Sequence, residues 1–160
     1  MVVSRKPLEA RPDRMARLAR LPVFLALDGK RVLLAGGSAA AAWKAELMSA
    51  TGARVDVYAA EVSDEMRQMA ADAPGGVITI IERVWTPDDL EGAAIAIGAF
   101  EDDESSAVFA TAARAAGILV NVIDRPAFCD FSFGAIVNRS PLVIELSKSR
   151  GRRVISCLPG

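Results

Sequence analysis

Between Arg31 and Ile123 short apolar runs take turns with helical segments of ten or so residues, and that alternation limits the fold more than any other feature. Arg31–Ala35 (RVLLA), Ala53–Ala59 (ARVDVYA), Val77–Val84, Ala93–Ala99 and Ile118–Ile123 read as strands. Most are apolar enough to be covered on both faces, as strands of a parallel sheet are. Ala39–Ala50 is alanine-rich and helical, and Gly52 supplies a left-handed cap behind it. Ser63 caps a helix reaching about Ala71, Thr86-Pro87 opens a short one, and Glu104–Ala116 ends at Gly117. Strands that alternate with helices in this way form a mostly parallel, doubly wound α/β sheet.

The flanks read differently. Leu21–Leu27 is expected as an extended strand, followed by a hairpin signal at Asp28-Gly29. Phe131–Val137 and Leu142–Leu146 look like two strands joined by Asn138–Pro141, a C-terminal β-hairpin extension. Residues 1–20 hold six basic and two acidic groups, residues 148–160 four basic and none acidic, and the body between nine basic and eighteen acidic. The ends read as basic solvated tails. An acidic body without an aromatic-studded basic face argues against nucleic acid.

Composition narrows the chemistry. At 160 residues the chain suits one domain with a proper core. With 52% hydrophobic and 6% aromatic content, that core is built from Ala, Val, Ile and Leu. No apolar run reaches the roughly 18 residues of a membrane span, and no secretory signal is seen, so no membrane partner is expected. Cys129 and Cys157 have no metal or CxxC spacing, so no metal site is expected and a reduced, cytoplasmic setting is the default. Histidine is absent. Proton chemistry near neutral pH therefore falls to carboxylates, Lys, Tyr or Cys.

Two places could carry function. The first is Val32-Leu-Leu-Ala-Gly-Gly-Ser-Ala-Ala-Ala41, a strand, a glycine turn and a helix start. It maps on G-x-G-x-x-G/A as Gly36, Ser38 and Ala41. The helix N-terminus behind such a turn faces a pyrophosphate with free N–H groups. An ordinary tight turn would read the same way. The acid that meets a ribose lies about 20 residues on; Asp56 is in mid-strand, and Glu61, after the second strand, is better placed. The second place is Gly117-Ile-Leu-Val-Asn-Val-Ile-Asp-Arg-Pro126, an apolar strand that stops on a carboxylate. Asp124 is either an Asp-x-Pro turn former or a catalytic acid or base at the sheet's rim.

The ordered set of segments Leu21-Pro-Val-Phe24, Gly36-Gly37 with Lys44, Thr51-Gly-Ala-Arg54, Ala99-Phe-Glu-Asp-Asp103, Asn121-Val-Ile-Asp124 and Phe133-Gly-Ala-Ile-Val-Asn-Arg-Ser-Pro141 resembles the N-terminal module of siroheme synthase, the precorrin-2 dehydrogenase/sirohydrochlorin ferrochelatase family. The resemblance covers roughly residues 21–147. It implies a Rossmann-like NAD-binding domain over 21–126, a hairpin and dimerisation extension over 127–147, and NAD-dependent oxidation of the tetrapyrrole precorrin-2 to sirohydrochlorin. Related proteins also insert ferrous iron. By resemblance Asp124 is the base. Cofactor contacts carry over to Gly36, Gly37, Ser38, Ala39, Ala40, Ala60, Glu61, Ala99 and Phe100. Asn121 neighbours the base, and Arg125, Arg139 and Lys148 are candidate ligands of substrate carboxylates. A homodimer is implied; the apolar strands of 131–146 would otherwise leave an edge exposed, so they are its expected interface.

Two departures stand out. Ser38 occupies a usual glycine position. The family's Ser/Thr-Gly-Gly-x-Ser-Pro-like loop is unmatched by Leu146-Ser-Lys-Ser-Arg-Gly-Arg-Arg153, and its helical region is absent from 148–160. A non-catalytic NAD sensor and a degenerate module that folds without activity are the rival readings.

Overall fold

A computed structural model of the chain describes residues 17–139, 142–149 and 152–158, the last three strands by their backbone alone. It has two compact units, residues 25–133 and a second unit formed by the chain's two ends. In the larger unit the elements run β1 (Arg31–Ala35), α1 (Ala39–Ser49), β2 (Arg54–Tyr58), α2 (Asp64–Ala71), β3 (Val77–Ile81), a 3₁₀ turn (Pro87–Leu90), β4 (Ile95–Gly98), α3 (Asp103–Ala115), β5 (Leu119–Val122) and a second 3₁₀ turn (Pro126–Phe128). The five strands form one all-parallel sheet in the order β3-β2-β1-β4-β5. The chain therefore reverses direction across the sheet between β1 and β4, the switch point where open α/β sheets bind ligands.

Alternation along the central strands sends side chains to two cores. Val32, Leu34, Val55, Val57 and Ile97 pack with Ala41, Ala45 and Met48 of α1 and Met66 of α2. Leu33, Ala35, Ala96, Val120 and Val122 pack on the other face with Phe109 and Ala113 of α3. Small residues dominate α1, which lets it lie close to β1, as the alanine-rich sequence implies.

Local signals account for most boundaries. Ser63 accepts the N–H of Met66 at 3.2 Å and Asp102 that of Ser105 at 2.6 Å, so each caps its helix. Gly52 and Gly117 have φ of 83° and 72° just beyond α1 and α3. Asp89 accepts the N–H of Thr86 and pairs with Arg83, and these contacts hold its carboxyl well below the usual carboxylate range.

Leu21–Leu27 is not a strand. The turn at Asp28-Gly29 does form, with the Lys30 N–H on the Leu27 carbonyl at 2.9 Å, but it joins no hairpin. Leu27 is buried while Leu21, Val23, Phe24 and Leu25 are exposed, so the run has one anchor and no ladder. The second unit also differs from expectation. β6 (Ala135–Arg139), β7 (Leu142–Ser149) and β8 (Arg152–Leu158) form an antiparallel sheet in that order. Residues 152–158, expected as basic tail, are thus a strand. The run Val154–Leu158 is apolar enough to pair, which a count of charges over the whole segment conceals.

Candidate functional site

The loops after β1, β2 and β4 converge at the switch point because two glycines let them. Gly36 sits at φ 125°, and a β-carbon on it would lie 2.8 Å from both Cβ and O of Ala99. A β-carbon on Gly37 would overlap the Glu61 carbonyl and lie 2.9 Å from the Ala59 Cβ. The Gly37 carbonyl accepts the N–H of Ser63 at 2.8 Å, which ties the turn to the start of α2. Ser38 begins α1 as its N-cap, its hydroxyl accepting the Ala41 N–H at 3.3 Å. Ser38, Ala39 and Ala40 are all exposed. The first N–H groups of a helix have no acceptor within it, so this end of α1 offers donors and a positive dipole to an anion. Such a helix end suits a phosphate-bearing ligand.

The serine at 38 thus replaces glycine's close approach with a cap. Ser38→Ala is expected to lower stability by about 1 kcal/mol, and Ser38→Gly by only a few tenths. Urea unfolding of the two variants checks this.

Asp124 follows β5 in a tight turn, in which the Arg125 N–H donates to the Val122 carbonyl at 3.2 Å. It is the one non-glycine residue with positive φ, 59°, among the described residues. Its side chain is exposed and forms no hydrogen bond or ion pair among the described residues. It borders an open cleft of about 380 Å³ together with Ala40, Trp43, Lys44, Asn121 and Phe133. The first turns of α1 and the end of β5 therefore share one cavity.

The chain beyond Asp124 folds back along the open edge of β5. The Cys129 sulfur accepts the Val122 N–H at 3.2 Å, and the Asp130 carboxylate accepts the Val120 N–H at 3.2 Å while pairing with Arg114. This covering satisfies edge groups that would otherwise be unpaired, and it fixes the base of the turn that carries Asp124.

Residues 23–135 match the family model described as "Putative NAD(P)-binding". The chain belongs to this family. Among curated proteins it is 40% identical over 138 residues to a siroheme synthase of Ectopseudomonas mendocina, a match covering 86% of this chain and 29% of the relative. It is 37% identical over 127 residues to a siroheme synthase of Nitrosomonas europaea, covering 79% of this chain and 26% of the relative. The chain thus spans less than a third of the length of these relatives. Among solved structures its fold is similar to that of SirC, precorrin-2 dehydrogenase, with a TM-score of 0.64 over 83% of this chain and 64% of that one, at 21% identity.

For an NAD(P)-binding domain, the residues singled out from sequence fall in different places. Gly36, Gly37, Ser38, Ala60, Glu61 and Ala99 lie on the loops around the switch point and Ala39 and Ala40 in the first turn of α1, with Ala60 and Glu61 exposed after β2. Asp56, in mid-strand, is held by Arg31 at 2.6 Å, which leaves Glu61 as the acid at that strand's carboxyl end. Phe100 is only partly buried and packs on Phe109, ring centroids 5.3 Å apart, so its ring belongs to the second core.

Arg125 and Asn121 are already engaged. The Arg125 guanidinium binds the Asp103 carboxylate and the carbonyls of Phe100 and Glu101, strapping the β4 loop to the Asp124 turn. The Asn121 amide is buried and donates to the Phe131 carbonyl at 2.9 Å. Arg139 falls in β6 and Lys148 in β7, with side chains outside the described residues.

Sequence reasoning passed over Lys44 as a site residue. It is only 8% exposed, and its ammonium lies 3.8 Å from the ring centroid of Phe133 and 4.4 Å from that of Trp43. Burial pushes its pKa down, opposed by the charges of Asp124 and Cys129. A signal was present: Ala41, Lys44, Ala45 and Met48 share one helical stripe, the one that faces the core.

Proposed function

We propose that this domain catalyses NAD-dependent oxidation of precorrin-2 to sirohydrochlorin. The observation that carries the reading is Asp124, an exposed carboxylate with no structural partner among the described residues, at the carboxyl end of β5 in the cleft that reaches the start of α1. The similarity to siroheme synthases supports the choice of substrate. A sensor of NAD would have no use for an unengaged carboxylate there.

Bound at the glycine turn, NAD supplies the hydride acceptor. Gly36 and Gly37 let the loops after β4 and β2 close on the turn, and the N–H groups of Ala39 and Ala40 would hold its pyrophosphate. Glu61 meets the ribose hydroxyls, and its charge disfavours the 2′-phosphate of NADP. Asp124 takes the proton that leaves the tetrapyrrole as the hydride departs, a general-base role left to a carboxylate in a chain without histidine. Arg125 keeps the β4 loop in register with the Asp124 turn. The reading includes a homodimer, supported by β6 and β8, which are edge strands of the second unit and would otherwise offer unpaired backbone groups.

The test is anaerobic incubation with precorrin-2 and either dinucleotide, followed by absorbance. Sirohydrochlorin should form with NAD, and more slowly with NADP. Absence of product, together with absence of NAD binding by calorimetry, would leave the degenerate module as the correct reading.

A further inference from the structure

Helix α1 carries a lysine where its pattern calls for an apolar side chain. Ala41, Ala42, Ala45 and Met48 around it are buried, and Lys44 is buried with them. Lysine is almost never buried without a partner. The five ion pairs among the described residues all use arginines. Lys44 forms no hydrogen bond there either, and no fully buried side-chain nitrogen is left unsatisfied. Its ammonium is therefore not fully buried, and Lys44 lines the cleft together with Asp124.

The two aromatic rings and the nearby Asp124 charge explain how the charge survives burial. Phe133 and Trp43 present ring faces to the ammonium, an attraction that steadies a cation without neutralising it. The charge stays available to an anion entering from the cleft. Among the described residues Lys44 and Arg125 are the two cations lining that cleft, and Arg125 is committed to Asp103 and two carbonyls. The body of the chain is acidic, so attraction for an anionic ligand has to be local.

We propose that Lys44 is the carboxylate-binding cation of the cleft, holding one acidic arm of the tetrapyrrole while Asp124 faces the macrocycle. This rests on the reading of the cleft as the precorrin-2 site.

Sirohydrochlorin, a polycarboxylate, is the probe. Its binding is read from quenching of tryptophan fluorescence, with Trp43 in the cleft wall as reporter. Lys44→Met keeps the stem and removes the charge. It should weaken sirohydrochlorin at least about tenfold, the loss of one modest charged contact. Its melting temperature should be unchanged or higher, and its NAD affinity by calorimetry unchanged. Lys44→Arg should retain most of the affinity. Wild-type protein should bind the methyl ester of sirohydrochlorin at least as weakly as Lys44→Met binds the acid, an arm that needs no variant to fold.

Wild-type affinity in Lys44→Met, or equal wild-type affinity for acid and ester, overturns the proposal. So does a Lys44→Met that loses melting temperature and NAD affinity together with the tetrapyrrole, since that is the signature of a structural lysine. A wild-type protein that neither binds sirohydrochlorin nor oxidises precorrin-2 overturns the proposed function and this inference with it. The wild-type arm thus tells the two failures apart.

Discussion

Asp124→Asn is expected to slow precorrin-2 oxidation by about 10²- to 10⁴-fold, the usual contribution of a positioned general base, and to leave NAD affinity and stability unchanged. The turn Val122–Arg125 needs positive φ at residue 124. Asparagine takes that conformation at least as readily as aspartate, whereas alanine would strain it by roughly 1–2 kcal/mol. The carboxylate forms no bond among the described residues, so the amide breaks none. Asparagine therefore keeps the turn and the cleft and removes only the ability to accept a proton. Initial rates at saturating NAD, with calorimetry for the cofactor and urea unfolding for the fold, separate these effects. A variant as fast as wild type would make Asp124 a turn residue and nothing more. The two sequence readings of GILVNVIDRP then stand apart: residue 124 serves the turn through its backbone, and the proposed chemistry uses its side chain.

The parallel sheet was legible because each strand and helix carried its own signal. Gly52 and Gly117 ended helices with positive φ, Ser63 began one with its hydroxyl, and the central strands were apolar on both faces. The glycine turn was legible for the same reason, since its geometry is local. Leu21–Leu27 misled because hydrophobicity alone does not supply a partner strand; only Leu27 finds the core. Residues 152–158 misled in the opposite sense, because Arg152 and Arg153 drew attention from the apolar run behind them. What the sequence could not reveal was engagement. Arg125 reads as a free cation beside Asp124, yet its partners are Asp103 and carbonyls about 22 to 25 residues away in sequence. Asn121 reads as a neighbour of the base, yet its amide holds Phe131, ten residues on. Lys44 was visible as a residue in the core-facing stripe, but the rings that hold it come from residue 133 as well as from its own helix.

Gly37→Ala should abolish measurable NAD binding and cost about 3 kcal/mol of stability, the upper end for forcing atoms into a packed site. The added methyl would meet atoms fixed to the backbone, not the ends of flexible side chains: the Glu61 carbonyl, the Val62 Cα at 3.0 Å and the Ala59 Cβ. None of these can rotate aside. The loop after β2 would have to retreat, and the Ser63 N–H, held by the Gly37 carbonyl, would go with it. That motion shifts Glu61 away from the ribose position and disturbs the N-terminus of α2 at once. Gly29→Ala is the control. Gly29 has positive φ, 66°, which Gly37 does not, and nothing lies within 4 Å of its would-be β-carbon. It should lose only the roughly 1–2 kcal/mol of backbone strain and keep its cofactor. Urea midpoints and NAD calorimetry on the pair separate crowding at the glycine turn, which should cost the cofactor, from backbone strain at a distant turn, which should not. If Gly37→Ala kept full NAD affinity, the dinucleotide could not sit against this turn, and the convergence of the β1, β2 and β4 loops would be a packing solution alone.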